Sequence, residues 1–509
     1  MMADGQNLDP GRRAMITIAV MLASILTALD TTIANVALPH IRGSLSATLE
    51  QMGWVLTSYI VATAIMTPLA GWLAGRVGRR KVLLISIAGF TLTSALCGIA
   101  TSLSELVLFR ALQGAFGASL VPMSQAVLLD INPPAHHGRA TAIWAMGVLV
   151  GPIIGPALGG WLTEDYSWRW VFYINIPFGI LSLAGVATFL PETQTRRSRF
   201  DIFGFATLSI AIGALQVMLD RGQLLDWFNS AEIWAEALIC GVSFYLFLVH
   251  TFTSTAPFVS PVLFADRNFA IGNLFVFIVG VVLFATLALL PPLLQDLMGY
   301  PVITTGLVTA PRGIGAFLTM IIVGRVVGRM DSRILIAGGF LATALSLWYM
   351  CGFSLQMDDR LVLWGGYLQG IGTGLVYVPL AAISFATLTP QLRSEGTAIF
   401  SLLRNVGSSI GIAVVQAQLT RSTQVMHAQL AEQLQPFGGH LQAKLPFDIT
   451  TVRGLAALNG EVTRQAQMIA YNNDFKMLLV LTVVVAPLLL LLRKPASGSL
   501  PAQAVAAAE

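Results

Sequence analysis

Charge is what this sequence has least of: Asp, Glu, Lys and Arg make up 11% of its 509 residues, against about 25% in an ordinary soluble domain. With 55% of the residues apolar, a water-soluble globule is excluded. The 29 basic and 25 acidic side chains leave a net charge of +4, too diluted to mark a nucleic-acid partner. Cysteine is nearly absent. Cys97, Cys240 and Cys351 fall in separate apolar stretches without metal-ligand spacing and read as small apolar fillers. A Gly-x-x-x-x-Gly-Lys-Ser/Thr phosphate loop, a His-Glu-x-x-His zinc signature and a nucleophile elbow are all missing. ATP-driven work is therefore unsupported, and neither a metal nor an organic cofactor is expected. The alternative class, a membrane-embedded enzyme or receptor, would need convergent His, Asp or Glu in the apolar segments, and none converge. The pair His136-His137, in the loop after Asn132-Pro133-Pro134, reads as solvated.

What is present is a series of long apolar blocks, each approaching the ~20 residues an α-helix needs to cross a bilayer. They predict an all-α membrane protein with fourteen spans, near 14–38, 52–74, 82–102, 104–130, 139–162, 169–190, 202–219, 232–250, 269–291, 303–328, 333–353, 361–388, 396–419 and 475–492. The first block starts like a secretory signal, behind Arg12 and Arg13, but runs on to Pro39 without a small-residue cleavage site. It is expected to stay as helix 1.

Basic residues near helix ends remain cytoplasmic. With both termini inside, the cytoplasmic segments hold seventeen, among them Arg76, Arg79, Arg80, Lys81, Arg139, Arg196, Arg197, Arg329, Arg393 and Lys494. The short outer loops hold only Arg42, Arg169, Arg221 and Arg360. A helix missed or added would destroy this asymmetry.

The chain also repeats itself, as transporters built from parallel repeats do. Gly71-Trp72-Leu73-Ala74-Gly75-Arg76 returns as Gly324-Arg325-Val326-Val327-Gly328-Arg329. Ala111-Leu112-Gln113-Gly114 returns as Tyr367-Leu368-Gln369-Gly370, and Thr141-Ala142-Ile143-Trp144 as Thr397-Ala398-Ile399-Phe400. The offsets are 253, 256 and 256. The duplication pairs helices 1–6 with 9–14 and leaves helices 7 and 8 between them, a six-plus-two-plus-six plan. Its parts are an amino-terminal six-helix bundle at 1–195, two inserted helices at 196–260, and a carboxyl-terminal bundle at 261–509 that includes a polar outer loop at 420–474.

Asp30, in Leu29-Asp30-Thr31-Thr32-Ile33-Ala34-Asn35, is the only carboxylate placed well inside a predicted span. A charged Asp at a helix centre costs about 2.5–3.5 kcal/mol on insertion scales, so it faces a cavity or a partner. Burial and a neighbouring cation act in opposite directions on a carboxylate's affinity for a proton, which suits such a group to loading and release. Arg110, in Leu108-Phe109-Arg110-Ala111-Leu112-Gln113-Gly114, is the natural partner: both residues lie on the order of 10–13 Å below the outer surface at 1.5 Å per residue. Gln113 is one turn away on the same face. The competing roles are a structural brace for Asp30 and satisfaction of backbone carbonyls for Arg110.

Arg312, in Ala310-Pro311-Arg312-Gly313, and Arg404, in Leu403-Arg404-Asn405, are further basic residues inside spans. Three interior arginines against one carboxylate make the cavity net positive, unless the loop-edge acids Asp296 and Glu395 reach inward, and favour weakly acidic amphipaths over permanent cations; the competing role for either Arg312 or Arg404 is an interhelix brace. Asn35, Gln113, Arg312, Tyr367, Gln369 and Arg404 are the candidate cavity wall. Gly147, Gly151-Pro152, Gly155-Pro156 and Gly159-Gly160 recur at four-residue spacing on helix 5, leaving a face for close helix approach and a place to flex. The basic loop with Gly71, Arg76, Gly78, Arg79 and Arg80, and its counterpart at Arg329, suggest a cytoplasmic latch made in one conformation only.

These segments together resemble the major facilitator superfamily, specifically its fourteen-helix drug:proton antiporters of the EmrB/QacA type. Leu29 to Pro39 is similar to that group's helix 1 motif, Leu108 to Gly114 to its helix 4 motif with an arginine tied to proton coupling, and Gly147 to Gly160 to its helix 5 antiporter motif. The chain departs from the pattern at Gly75, where the loop usually carries an aspartate, and at Gly328 in the second copy, which puts a latch using that carboxylate in doubt. The resemblance implies proton-coupled multidrug efflux by alternating access across a bacterial inner membrane, with a periplasmic adaptor and an outer-membrane channel as partners. A dedicated exporter of one lipid-like or siderophore-like metabolite is the variant within that class.

Overall fold

The computed structural model describes residues 9–133, 136–193, 195, 199–327, 329–389, 391–434 and 451–493. Arg196, Arg197, Gly328 and Lys494 lie outside the described residues, as do 435–450 of the polar stretch expected outside and the side chains of Pro152 and Pro156. Among the described residues, fourteen long helices follow one another. They are α1 Pro10–Leu45, α2 Leu49–Val77, α3 Arg79–Ile99, α4 Leu103–Ile131, α5 His137–Asp165, α6 Trp170–Phe189, α7 Ile202–Arg221, α8 Ala231–Thr253, α9 Arg267–Leu297, α10 Val302–Val326, α11 Ser332–Met350, α12 Asp359–Phe385, α13 Arg393–Gln433 and α14 Val452–Leu491. Among the described residues, thirteen are long and apolar enough to cross a membrane. The other, α5, has 29 residues, about 43 Å at 1.5 Å each.

Local chemistry starts and breaks these helices. Asp9 caps α1, accepting from the Gly11 and Arg12 amides, with Pro10 in the first turn. Thr48 and Gln51 close a capping box on α2. Ser102, Asp266 and Asp331 cap α4, α9 and α11, accepting from the Glu105, Phe269 and Arg333 amides. Pro291-Pro292 withdraw two amide donors from α9, and its last turn, Leu293–Leu297, widens to a π-helix. Gly78 joins α2 to α3 at φ +94°, a backbone state that favours glycine.

The described parts of the polar stretch 420–474 differ from the expected loop. Helix α13 continues to Gln433 and α14 begins at Val452, so two polar helical extensions leave the bundle at the end opposite Arg76–Lys81. A mean-hydropathy reading loses sight of such segments because their residues are polar while their backbone bonds stay internal.

Helices α1–α6 and α9–α14 form two bundles. Within them α1 packs on α5, α2 on α4, α9 on α13, and α10 on α12. The inserted pair α7–α8 leans on α2, with Gly213 admitting Ile65. Outward faces carry Ile85, Leu92, Trp234, Leu238, Phe252 and Trp348, all exposed, as a lipid-facing surface requires.

Candidate functional site

Asp30 and Arg110 meet inside the amino-terminal bundle, each 1% exposed. Arg110 Nη1 lies 2.6 Å from Asp30 Oδ2 and donates to Gln113 Oε1 at 2.8 Å. Gln113 Nε2 donates to Asp30 Oδ1 at 2.9 Å, and Asn175 Nδ2, from α6, donates to the same oxygen at 2.9 Å. The guanidinium sits 4.2 Å from the Tyr59 ring centroid and donates through Nε to the Val55 carbonyl at 3.3 Å. Four helices thus supply partners to one carboxylate or its arginine. A buried ion pair is tolerable only when its remaining donors and acceptors are satisfied, as here.

Asn175 and Tyr59 are absent from the sequence-based candidates. The signal for Asn175 was a single amide in the apolar run Val171-Phe172-Tyr173-Ile174-Asn175-Ile176. Asn35 lies five residues beyond Asp30 on α1, is exposed, and joins none of these bonds.

The glycine face of α5 holds α1 in place. A Cβ at Gly151 would collide with the Ala28 carbonyl, one at Gly155 with Thr32, and one at Gly147 would stand 2.5 Å from Met21 Cε. Thr32 Oγ1 donates to the Gly151 carbonyl at 3.0 Å. A Cβ at Gly159 would stand 3.2 Å from the Ile33 carbonyl oxygen, whereas one at Gly160 would meet open space. The contact therefore runs along Gly147, Gly151, Gly155 and Gly159.

In the carboxyl-terminal bundle the candidates separate into groups. Arg312 is buried and donates through Nη2 to the Leu283 carbonyl at 3.0 Å, while Gln369 Nε2 donates to Thr286 Oγ1 at 3.0 Å. Arg404 donates to the Tyr377 hydroxyl at 3.0 Å, and Tyr377 stacks on Trp144 of α5 with centroids 6.0 Å apart. Tyr367 is half-buried; its carbonyl lies over Gly315 and its ring packs against Trp364.

At the basic end the bundles touch. Asp130, closing α4, pairs with Arg79 of its own bundle and with Arg393 Nη1 of the other at 3.0 Å. Arg79 Nε also crosses to Ser394 Oγ at 2.6 Å. Gly71 lets α2 pass so close to α13 that a Cβ would stand 2.8 Å from Glu395 Cα; Gly324 does the same for Ala142, and Val327 fills the space over Gly138. Arg80 turns to the Ala187 carbonyl at 2.6 Å, Arg76 lies over Trp72, and Arg329 is exposed. Gly75 lacks a carboxylate, and Asp130 supplies one from α4 instead. His137 is buried, not solvated, and bonds to the Asn132 carbonyl at 3.1 Å.

Asp474 is a second buried carboxylate, 0% exposed, with neither oxygen hydrogen-bonded. The sequence reading placed it just outside the last span because it started that helix at 475.

Two duplicated six-helix bundles, a hydrogen-bonded acid–guanidinium pair between helices and an interlocked basic end define a membrane transporter architecture. The sequence profile described as Major Facilitator Superfamily matches residues 20–412, and the chain belongs to that family. It is 37% identical over 477 residues to the multidrug export protein EmrB of Escherichia coli (strain K12), covering 92% of this chain and 93% of that protein. It is 36% identical to the fatty acid resistance protein FarB of Neisseria gonorrhoeae, covering 95% and 96%. Among solved structures, the human organic anion transporter MFSD10 matches with TM-score 0.60 at 14% identity, covering 93% of this chain and 100% of that one. The proton:xylose symporter XylE matches with TM-score 0.59 at 15% identity, covering 95% and 96%. Both share the fold.

Proposed function

We propose that this protein is a proton-coupled exporter of amphipathic small molecules, weak acids among them, working by alternating access across a bacterial inner membrane with both termini cytoplasmic. The observation that carries the reading is the buried Asp30, bonded to Arg110, Gln113 and Asn175 on a helix seated against the glycine face of α5. An ionised Asp30 accepts all three bonds. Protonation turns one oxygen into a donor and removes the charge that Arg110 pairs with, so the frame holding α1 to α4 and α6 loosens. Because α1 rests on α5, and α5 meets α10 at Ala142–Gly324, the change reaches the contact between bundles. In this reading the end where Asp130 pairs with Arg393 is the cytoplasmic one, and it is closed. Each proton entering supplies about 2.3 kcal/mol per 100 mV, apart from any pH gradient.

The relatives' names, multidrug export and fatty acid resistance, support amphipathic cargo. The same reading passes cargo to a periplasmic adaptor and an outer-membrane channel. The test is Asp30→Asn in reconstituted vesicles with an imposed pH gradient. Gradient-driven export should vanish while membrane insertion persists, with thermal stability lowered because Arg110 loses its counter-charge; full export by the variant would remove Asp30 from the mechanism.

A further inference from the structure

The two bundles hold the same local frame with one charge missing. Gln113-Gly114 and Gln369-Gly370 are 256 residues apart. In the first bundle Gly114 lets α4 lie directly on the Tyr59 carbonyl of α2; in the second, Gly370 lets α12 lie directly on the Arg312 carbonyl of α10. Gln113 donates to Asp30, and Gln369 donates to Thr286, again 256 residues on. On this frame Thr286 occupies the place of Asp30, Gly366 that of Arg110, and Arg312 that of Tyr59.

The guanidinium of the second copy therefore enters from α10 across Gly366, where a Cβ would stand 3.6 Å from Arg312 Cβ, and the carboxylate is gone. Arg312 is 8% exposed, its Nη1 has no hydrogen-bond partner, and no carboxylate pairs with it among the described residues. Gln369, 1% exposed, has no donor to its Oε1. A buried guanidinium without a counter-charge is costly and persists where something else supplies the charge.

We infer that Arg312 and Gln369, beside a Thr286 hydroxyl already committed to the Val282 carbonyl at 2.7 Å, receive the carboxyl group of the transported substrate, which takes the place Asp30 fills in the other half. This rests on the exporter reading and adds a substrate class, amphipathic monocarboxylic acids. A carboxyl group offers an oxygen to Arg312 and, when protonated, a hydroxyl to Gln369 Oε1; a permanent cation matches neither. Nη1 is closed from solvent in this state. Access opens as α10, which meets the other bundle through Gly324, shifts against α9 and α12.

The test is binding of radiolabelled decanoate to the purified full chain by scintillation proximity, with methyl decanoate as competitor and no proton gradient. Arg312→Gln should weaken binding at least about tenfold, the scale of one charge-assisted hydrogen bond, and Arg312→Lys should weaken it less. Thr286→Asp supplies the missing counter-charge internally, so it should weaken decanoate binding by a similar factor while raising thermal stability. That variant keeps the test decisive if Arg312→Gln does not fold. Wild-type affinity in both Arg312→Gln and Thr286→Asp, or methyl decanoate competing as well as decanoate, overturns the inference. So does a wild type stabilised by chloride over gluconate and indifferent to decanoate, since an inorganic anion then fills the site. A wild type that exports other compounds under a pH gradient but binds no decanoate overturns this inference alone; one that binds decanoate but exports nothing overturns the exporter reading alone.

Discussion

At the scale of single residues, polar side chains in this chain are informative because they are so few. Asp30, Arg110 and Gln113 were legible before any coordinates, since a carboxylate and a guanidinium at matched depth in apolar helices have few alternatives to each other. Asn175 was not, because an amide carries no charge to flag it and its distance from Asp30, 145 residues, is set by how α6 packs. His137 was misread for a related reason: position in a loop does not reveal that two bundles close over it. Its burial, and then the nearby Arg393 charge, push its imidazole down to about 4. An unfolded chain takes up that proton near 6.5, so below this value the unfolded state binds more protons than the folded one. Stability held by neutral His137 is complete above about pH 6.5 and declines as pH falls toward 4, by roughly 1.4 kcal/mol per pH unit at most. Thermal denaturation of purified protein between pH 7.5 and 4.5 should show this decline, and His137→Gln, which keeps a donor for the Asn132 carbonyl, should flatten it. An equal decline in the variant would place the titration elsewhere.

At the scale of elements, helix existence was readable from apolar length, whereas helix ends were not. The extensions of α13 to Gln433 and of α14 back to Val452 are polar, and polar helix outside a bilayer looks like loop to a hydropathy window. The glycines of α5 show the opposite limit. Spacing named Gly147 to Gly160 as a smooth face, but contact distinguishes Gly151, which meets Ala28 backbone, from Gly160, which meets nothing within 4 Å. A methyl at Gly151 must push α1 away two residues from Asp30, an overpacking cost of about 1–3 kcal/mol. At Gly160 the same methyl fills open space and removes a poor helix former. Gly151→Ala should therefore lower both thermal stability and export rate, and Gly160→Ala should change neither downward. Equal behaviour of the two variants in side-by-side melting and transport measurements would mean that α1 does not depend on this face.

At the scale of the whole molecule, the question is what holds one end shut while allowing it to open. The duplication was visible in sequence, but its two copies do not use the same latch: Arg329 is exposed, and the second copy closes instead through Gly324 on Ala142 and Val327 over Gly138. Charge is concentrated at Asp130, whose two oxygens are divided between Arg79 in its own bundle and Arg393 in the other. Only the second of these is lost when the bundles part. Removing one partner of a buried ion pair costs about 3–5 kcal/mol, chiefly by stranding the remaining charge. In Asp130→Asn both Arg79 and Arg393 lose this carboxylate, but only Arg393 leaves the contact and regains water when the end opens, so that part of the penalty falls on the closed state and shifts the population toward opening. Arg79, which keeps its bond to Ser394 only while the end is closed, opposes that shift weakly. A cysteine placed at Ala142, in a background without Cys97, Cys240 and Cys351, reports the outcome: a membrane-impermeant thiol reagent applied from the Arg76–Lys81 side should modify it several-fold faster in Asp130→Asn than in the parent. Unchanged protection would show that glycine-mediated packing, rather than this shared carboxylate, keeps the end closed.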